Sequence, residues 1–339
     1  MSDLWTLDDL KAWTRSLLAT RRVIAPVARP EGAVWAQVDD PDAVSWGYGR
    51  TTISPREWLL PRHEVLFRYD LSGDPPRIEE PEISAPPTAL LLVRPCDVAG
   101  LRALDAVMRW DYTEEGFEAR RAATLLIALG CSRPASPESC FCGSVGLDPR
   151  WAPEADVMIE PIEGPSGTRY RVAPLTEAGR ASLEGMSLPL AEPQPIGPPV
   201  ATVPIDIERA REWMRGHFED EIWMKAAESC LGCGACAYLC PSCHCFDVVD
   251  EGDWRRGVRV RNWDSCAFSH FTLHATGHNP RPKQVNRYRQ RLYHKFQYYP
   301  DKFGRLLCTG CGRCVDSCSG GMDLIEVLQE CAAREESRV

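Results

Sequence analysis

The chain has 339 residues, 44% of them hydrophobic, with sixteen cysteines and a net charge of −9. That length predicts two domains rather than one, and the acidic balance speaks against general nucleic-acid affinity. The longest apolar runs, residues 89–93 and 123–129, are too short to span a bilayer. The leading MSDLWTLDDL lacks the basic-then-apolar order of a secretory signal, so the expected setting is cytoplasmic. Sixteen cysteines there argue for metal ligation over disulfides.

Leu7, Leu10, Trp13, Leu17 and Leu18 fall at helical spacing. Short β-like pieces follow at 22–27 and 33–38, then a proline- and charge-rich passage over 56–74. Residues 89–93 read as a fully buried strand ending in Arg94-Pro95-Cys96-Asp97. Asp97 stands where it would cap the next helix, whose Leu101, Leu104, Val107 and Met108 share one face. A second helical stretch, 114–121, leads into another buried strand, 123–129, which ends in Gly130-Cys131. This order predicts a parallel α/β sheet, in which the carboxyl ends of the strands form the functional edge. Cys96 and Cys131 fall on that edge, and Cys140 and Cys142 follow in the loop SCFCGSVG.

A hairpin over 155–172, turning at Gly164-Pro165-Ser166-Gly167, and a short helix over 177–185 complete this half. Prolines at 189, 193, 195, 198, 199 and 204 stiffen the chain and forbid helix. The predicted organisation is an α/β domain over 1–186, a linker over 187–204 and an α-rich, dicluster ferredoxin-like domain over 205–339. A helix over 207–227 delivers the chain to Cys230.

Cys230, Cys233, Cys236 and Cys240 are separated by two, two and three residues, and Pro241 follows. Cys308, Cys311, Cys314 and Cys318 repeat that spacing. Two matched runs of this kind are the bacterial-ferredoxin pattern for [4Fe-4S] clusters, in which each run's fourth cysteine serves the other cluster. One cluster, A, takes Cys230, Cys233, Cys236 and Cys318; the other, B, takes Cys308, Cys311, Cys314 and Cys240. Gly232, Gly234, Gly310 and Gly312 let the backbone curl around the sulfurs. The alternative for such runs is structural zinc. Cys96, Cys131, Cys140 and Cys142 match the ligand count of a third cluster, against the reading of buried core thiols.

The insert at 241–307 holds Cys243, Cys245 and Cys266, which either supply a cluster ligand or form a three-cysteine metal site with a non-cysteine partner. It also holds a basic block with Arg281, Lys283, Arg287, Arg289, Arg291 and Lys295 and no acid. Three readings of that block stand: a nucleic-acid patch, a solvated helix face, or cations that stabilise anionic clusters. Leu324, Leu328 and Cys331 share a face of the closing helix, with Cys331 a packed thiol. No Gly-x-Gly-x-x-Gly follows a strand, no Walker loop is present, and the seven histidines form no zincin motif. Clusters without a substrate motif suggest a relay.

The insert segments CPSCHCFDVVD, RNWDSCAFSHF, GHNPRP and RYRQRLYHKF, with the flanking cysteine runs, resemble the beta subunit of cytoplasmic sulfhydrogenases. They are similar also to the A subunit of anaerobic sulfite reductase. LLVRPCD and SCFCGSVG carry the same likeness into the first half, so it covers most of the chain from Leu91 onward. The resemblance implies a non-catalytic electron-transfer subunit seated beside a flavin- and NAD(P)-binding subunit. It would pass electrons towards a catalytic subunit, a nickel–iron hydrogenase or sulfur reductase in one case and a sirohaem sulfite reductase in the other. Ser319 follows Cys318 where the family usually has proline, which relaxes the exit of that turn. A self-sufficient iron–sulfur reductase with its substrate at the first four cysteines, and a zinc-bearing assembly module, are the alternatives.

Overall fold

The computed structural model describes residues 4–165, 167–186, 188–195 and 200–337. In chain order the strands are β1 (Arg22–Arg29), β2 (Gly32–Val38), β3 (His63–Asp70), β4 (Arg77–Glu79), β5 (Thr88–Val93), β6 (Thr124–Leu129), β7 (Val157–Ile162), β8 (Arg169–Pro174), β9 (Phe246–Gly252) and β10 (Arg256–Trp263). The helices are α1 (Leu7–Leu18), α2 (Pro95–Met108), α3 (Glu115–Ala122), α4 (Glu177–Ala181), α5 (Ile207–Gly216), α6 (Ile222–Ala227), α7 (Ala235–Tyr238), α8 (Gln284–Tyr293), α9 (Tyr299–Phe303), α10 (Arg313–Asp316) and α11 (Leu324–Glu336). A π-helical turn, His294–Tyr298, joins α8 to α9.

The larger sheet has the order β2-β1-β5-β6-β7-β8. Its inner strands β1, β5, β6 and β7 run parallel, and β2 and β8 close the two edges antiparallel. Every residue of β5 and β6 is buried, because helices and loops cover both faces of such a sheet. Trp5, Leu10, Trp13 and Leu17 pack on one face. Leu101, Leu104 and Phe117, from the β5-to-β6 crossover, pack on the other. Near the end of β5 the register slips and Leu92 takes φ 67°, a strained conformation for a branched side chain. The Tyr48 hydroxyl donates to the Leu92 carbonyl there. The bulge sits just before Arg94 and Cys96 and re-aims them.

The smaller sheet, β4-β3-β10-β9, is antiparallel and draws strands from both sides of the proline-rich stretch. The passage over 56–74 shows no apolar alternation, yet residues 63–70 are strand β3. Tertiary pairing decides it: β10 supplies the ladder, and Arg261 of β10 pairs with Glu64 of β3. Trp213, Trp223, Tyr293, Phe296, Leu328 and Cys331 fill a separate core among α5, α6, α8 and α11. The fold is therefore mixed α/β, with strands in the second half that the α-rich expectation lacked.

Two local expectations are corrected. The helix expected over 207–227 is two helices, because His217 closes α5 while its ring stacks on Trp213 at 4.4 Å. Asp220 then accepts from the Ile222 N–H at 2.9 Å to start α6. Asp97 does not cap α2: Arg94 is the N-cap residue, Pro95 opens the helix, and Asp97 turns inward to a buried arginine. Ser166 of the expected hairpin turn lies outside the described residues.

Candidate iron–sulfur centres

Both ferredoxin-type runs fold alike. Each is a coil that ends in a one-turn helix, α7 after Cys233 and α10 after Cys311, and the two short helices pack together. Gly232 and Gly234 have φ 65° and 76°; Gly310 and Gly312 have φ 61° and 75°. A side chain rarely adopts that left-handed backbone. Space closes the case at two of these positions. A Cβ on Gly310 would stand 2.5 Å from Cys142 Cα, and one on Gly312 would stand 2.4 Å from Ser139 Oγ.

One cavity is lined by Cys230, Cys233 and Cys236 of the first run and by Cys314 and Cys318 of the second. Gln284 Nε2 donates to Cys230 Sγ at 3.1 Å, and the Met322 N–H donates to Cys318 Sγ at 3.2 Å. Cys240 lies close enough to Cys308 and Cys314 to act on their ionisation. Burial pushes Cys308 up to about 11 and Cys314 up to about 12. Thiols so placed stay protonated unless a cation binds them, and a coordinated thiol is deprotonated outright. Among the described residues no group of three or more His, Cys, Asp or Glu is disposed to hold a single metal ion.

The four cysteines of the first half come together as well. Cys96 lies in the first turn of α2, Cys131 follows β6, and Cys140 and Cys142 flank Phe141. Cys131 and Cys140 act on Cys142, which burial pushes up to about 12; Cys142 in turn acts on Cys96. This group meets the second run directly. The Phe141 N–H donates to the Gly310 carbonyl at 2.9 Å, and Cys96 lies within electrostatic reach of Cys311. Arg50 spans the junction, donating to the Cys311 carbonyl and pairing with Asp316, while Arg94 Nη1 reaches Cys131 Sγ at 3.9 Å. Arg313 is clamped between the halves. Its Nη1 and Nη2 donate to the two Asp97 oxygens at 2.7 and 2.9 Å, and its Nε donates to the Thr51 carbonyl at 2.9 Å.

Most of the basic block is turned inward, although Lys283 is exposed and Arg281 half-buried. Arg287, Arg289, Arg291 and Lys295 are all buried. Lys295 Nζ donates to Cys240 Sγ at 3.4 Å, and Arg291 Nη1 reaches Cys243 Sγ at 3.5 Å. Arg56, 1% exposed, donates to the Cys243 carbonyl and lies 3.6 Å over the Trp263 ring. Among the described residues, Arg56, Arg291 and Lys295 form no ion pair with a carboxylate. Burial pulls Lys295 and Arg291 down, but the neighbouring cysteines outweigh it and leave both raised. Three buried cations whose partners are sulfur, carbonyl oxygen, the Ser242 hydroxyl and the Trp263 ring, with no carboxylate among them, are suited to an anionic cluster. The donor sets, the left-handed loops and these cations fit [4Fe-4S] groups.

Of the remaining thiols, Cys331 is fully buried in the helical core. Cys240 and Cys243 act on each other's ionisation, and so do Cys245 and Cys266. Arg50 and Arg56 escaped the sequence reading because they reach the sites from distant segments with no motif around them; Arg313 stands inside the second cysteine run, but its partner Asp97 lies 216 residues away in the chain.

Residues 229–322 match the family model of the 4Fe-4S dicluster domain. The chain is similar to sulfhydrogenase 2 subunit beta of Pyrococcus furiosus, 28% identical over 332 residues that cover 91% of this chain and 92% of that one. No solved structure matches. Among the described residues no helix is long and apolar enough to cross a membrane. The resemblance read from the cysteine runs and the insert is thus borne out: this is an iron–sulfur protein carrying a 4Fe-4S dicluster domain, similar over most of its length to a sulfhydrogenase beta subunit.

Proposed function

We propose that the chain is the non-catalytic electron-transfer subunit of a cytoplasmic oxidoreductase complex. It relays single electrons between a flavin- and NAD(P)-binding subunit and a catalytic subunit of the nickel–iron hydrogenase or sulfur-reductase kind. Cluster A is held by Cys230, Cys233, Cys236 and Cys318, and cluster B by Cys308, Cys311, Cys314 and Cys240. A third cluster is held by Cys96, Cys131, Cys140 and Cys142. The clusters supply reversible one-electron chemistry, and the protein's part is to hold them close together and set their potentials through buried cations and N–H···S contacts.

The observation that carries this reading is continuity. The Cys140–Cys142 loop is seated on the second run through the Phe141-to-Gly310 hydrogen bond, and the second run packs on the first through α7 and α10. Three sulfur sets in one contiguous row suit a wire better than a substrate pocket. The similarity to a sulfhydrogenase subunit supports the choice of catalytic partner. The test supplies the purified, reconstituted chain with NADPH and hydrogen, sulfur or sulfite. Dithionite should bleach its visible absorbance, with no turnover; steady-state turnover without a partner subunit refutes the reading.

A further inference from the structure

We propose that the cleft at the carboxyl edge of the larger sheet binds a flavin nucleotide, a planar aromatic ring carrying a phosphate, which exchanges electrons with the cluster of Cys96, Cys131, Cys140 and Cys142. The topology makes the cleft. Arg94 follows β5, Leu129 and Gly130 close β6, and Pro161 lies at the end of β7. All four line a cavity of about 780 Å³. It stands where open α/β sheets bind ligands, and its size is within the roughly 300–1,000 Å³ of small-molecule clefts. Residues 46–49 and the loop after Cys131 supply the side walls, and a Cβ on Gly49 would stand 3.5 Å from that of Ala135.

The lining suits an aromatic anion. Trp46 and Tyr170 stand in it, and the Trp46 indole is fixed by its N–H, which donates to the Pro41 carbonyl at 3.1 Å. Tyr170 pairs with Pro161 across the β7–β8 ladder, so ring and proline share one wall. Tyr170 is 9% exposed, and among the described residues its hydroxyl has no hydrogen-bond partner. Burial, and then Glu163 beside it, raises Tyr170, so the hydroxyl stays protonated and remains a donor without an acceptor. Arg133 is exposed at the mouth and makes no ion pair or hydrogen bond among the described residues. Glu163, the one acid in the lining, already accepts from Thr168 Oγ1 at 3.0 Å. Arg94 and Arg133 against Glu163 leave the cleft net cationic, and an open guanidinium fork suits a phosphate.

The cleft also abuts the cluster. Arg94 lines it and reaches Cys131 Sγ at 3.9 Å, and Gly130 and Ser132, which flank Cys131, line it too. The thickness of one side chain separates an occupant from the cluster. A cluster takes one electron at a time, which sets aside hydride carriers of the nicotinamide kind and selects a flavin, which passes electrons singly. A reduced flavin, FlH₂, gives two electrons in succession to two [4Fe-4S]²⁺ equivalents, each of which becomes [4Fe-4S]⁺. Its two protons go to water, and oxidised Fl remains. The electron exchange rests on the third cluster of the relay reading; the binding does not.

The experiment dialyses the full, anaerobically purified, iron-loaded chain against FMN, riboflavin or NADPH and counts iron in the same samples. FMN should be retained, and riboflavin, which lacks the phosphate, should bind about tenfold more weakly. Arg133→Glu should lose about tenfold for FMN and hold it no better than riboflavin, with iron per chain unchanged. Rapid mixing with reduced FMN, read by freeze-quench EPR, should develop the reduced-cluster signal in wild type. Cys131→Ser should retain FMN but develop that signal more slowly. No retained FMN, NADPH retained in its place, or FMN binding untouched by Arg133→Glu would each overturn the proposal. Failure of the relay reading looks different: about eight irons in wild type with FMN still retained removes the third cluster, and with it the electron exchange, while the binding site stands.

Discussion

Asp97 and Arg313 offer the sharpest test of how the two halves are held. Asp97 comes from α2 of the larger sheet's crossover and Arg313 from α10 of the second cysteine run; their side chains are 0% and 1% exposed. The pair is bidentate, at 2.7 and 2.9 Å, and its neighbours in sequence are Cys96 and Cys314. Asp97→Ala leaves a buried guanidinium with only Thr51 as partner through its carbonyl and hydroxyl. Stranding one member of a buried pair costs about 3–5 kcal/mol. Replacing both, as Asp97→Leu with Arg313→Met, removes the uncompensated charge, and such exchanges are often close to neutral. The double variant should therefore recover most of the loss. Urea unfolding of anaerobic, iron-loaded protein, followed by circular dichroism, reads the three stabilities. An Asp97→Ala protein within about 1 kcal/mol of wild type would refute the reasoning, as would a double variant no better than the single one.

Two further outcomes follow from the ligand sets. Because Cys240 acts on Cys308 and Cys314 while Cys318 joins Cys230, Cys233 and Cys236 around one cavity, Cys240→Ala should damage the cluster of Cys308, Cys311 and Cys314. Mössbauer or EPR loss confined to the Cys230–Cys236 cluster instead would mean that the crossed pairing is wrong. Anaerobically purified protein should carry about twelve irons per chain, falling to about eight in Cys96→Ser or Cys140→Ser; about eight in wild type, unchanged by either substitution, would make these cysteines packing.

The cysteine spacing, the two buried strands and the amphipathic α1 were legible because each is local. Ligand gaps follow the reach of a short loop, and an unbroken apolar run such as Leu90-Leu91-Leu92 is buried in almost any parallel sheet. Strand β3 was not legible, since its partly exposed side chains carry no period and its partner β10 lies almost two hundred residues on. The break between α5 and α6 was hidden for a related reason: His217 and Asp220 act through a ring stack and a cap rather than through a helix-breaking proline.

What the sequence determined by itself is therefore the chemistry: two ferredoxin-type runs, two further cysteines at strand ends with two more in the adjoining loop, and a basic block beside them. Tertiary structure alone decided what the charges do. A run of arginines has the same composition whether it faces water, nucleic acid or sulfur. Only the packing of α8 and its π-helical extension turns Arg291 and Lys295 inward onto cysteines, away from any carboxylate. Only the meeting of α2 with α10 gives Asp97 a buried arginine instead of a helix cap. Burial fixes these roles, because a cation taken out of water must find a compensating group, and which groups are near is settled by residues far apart in the chain.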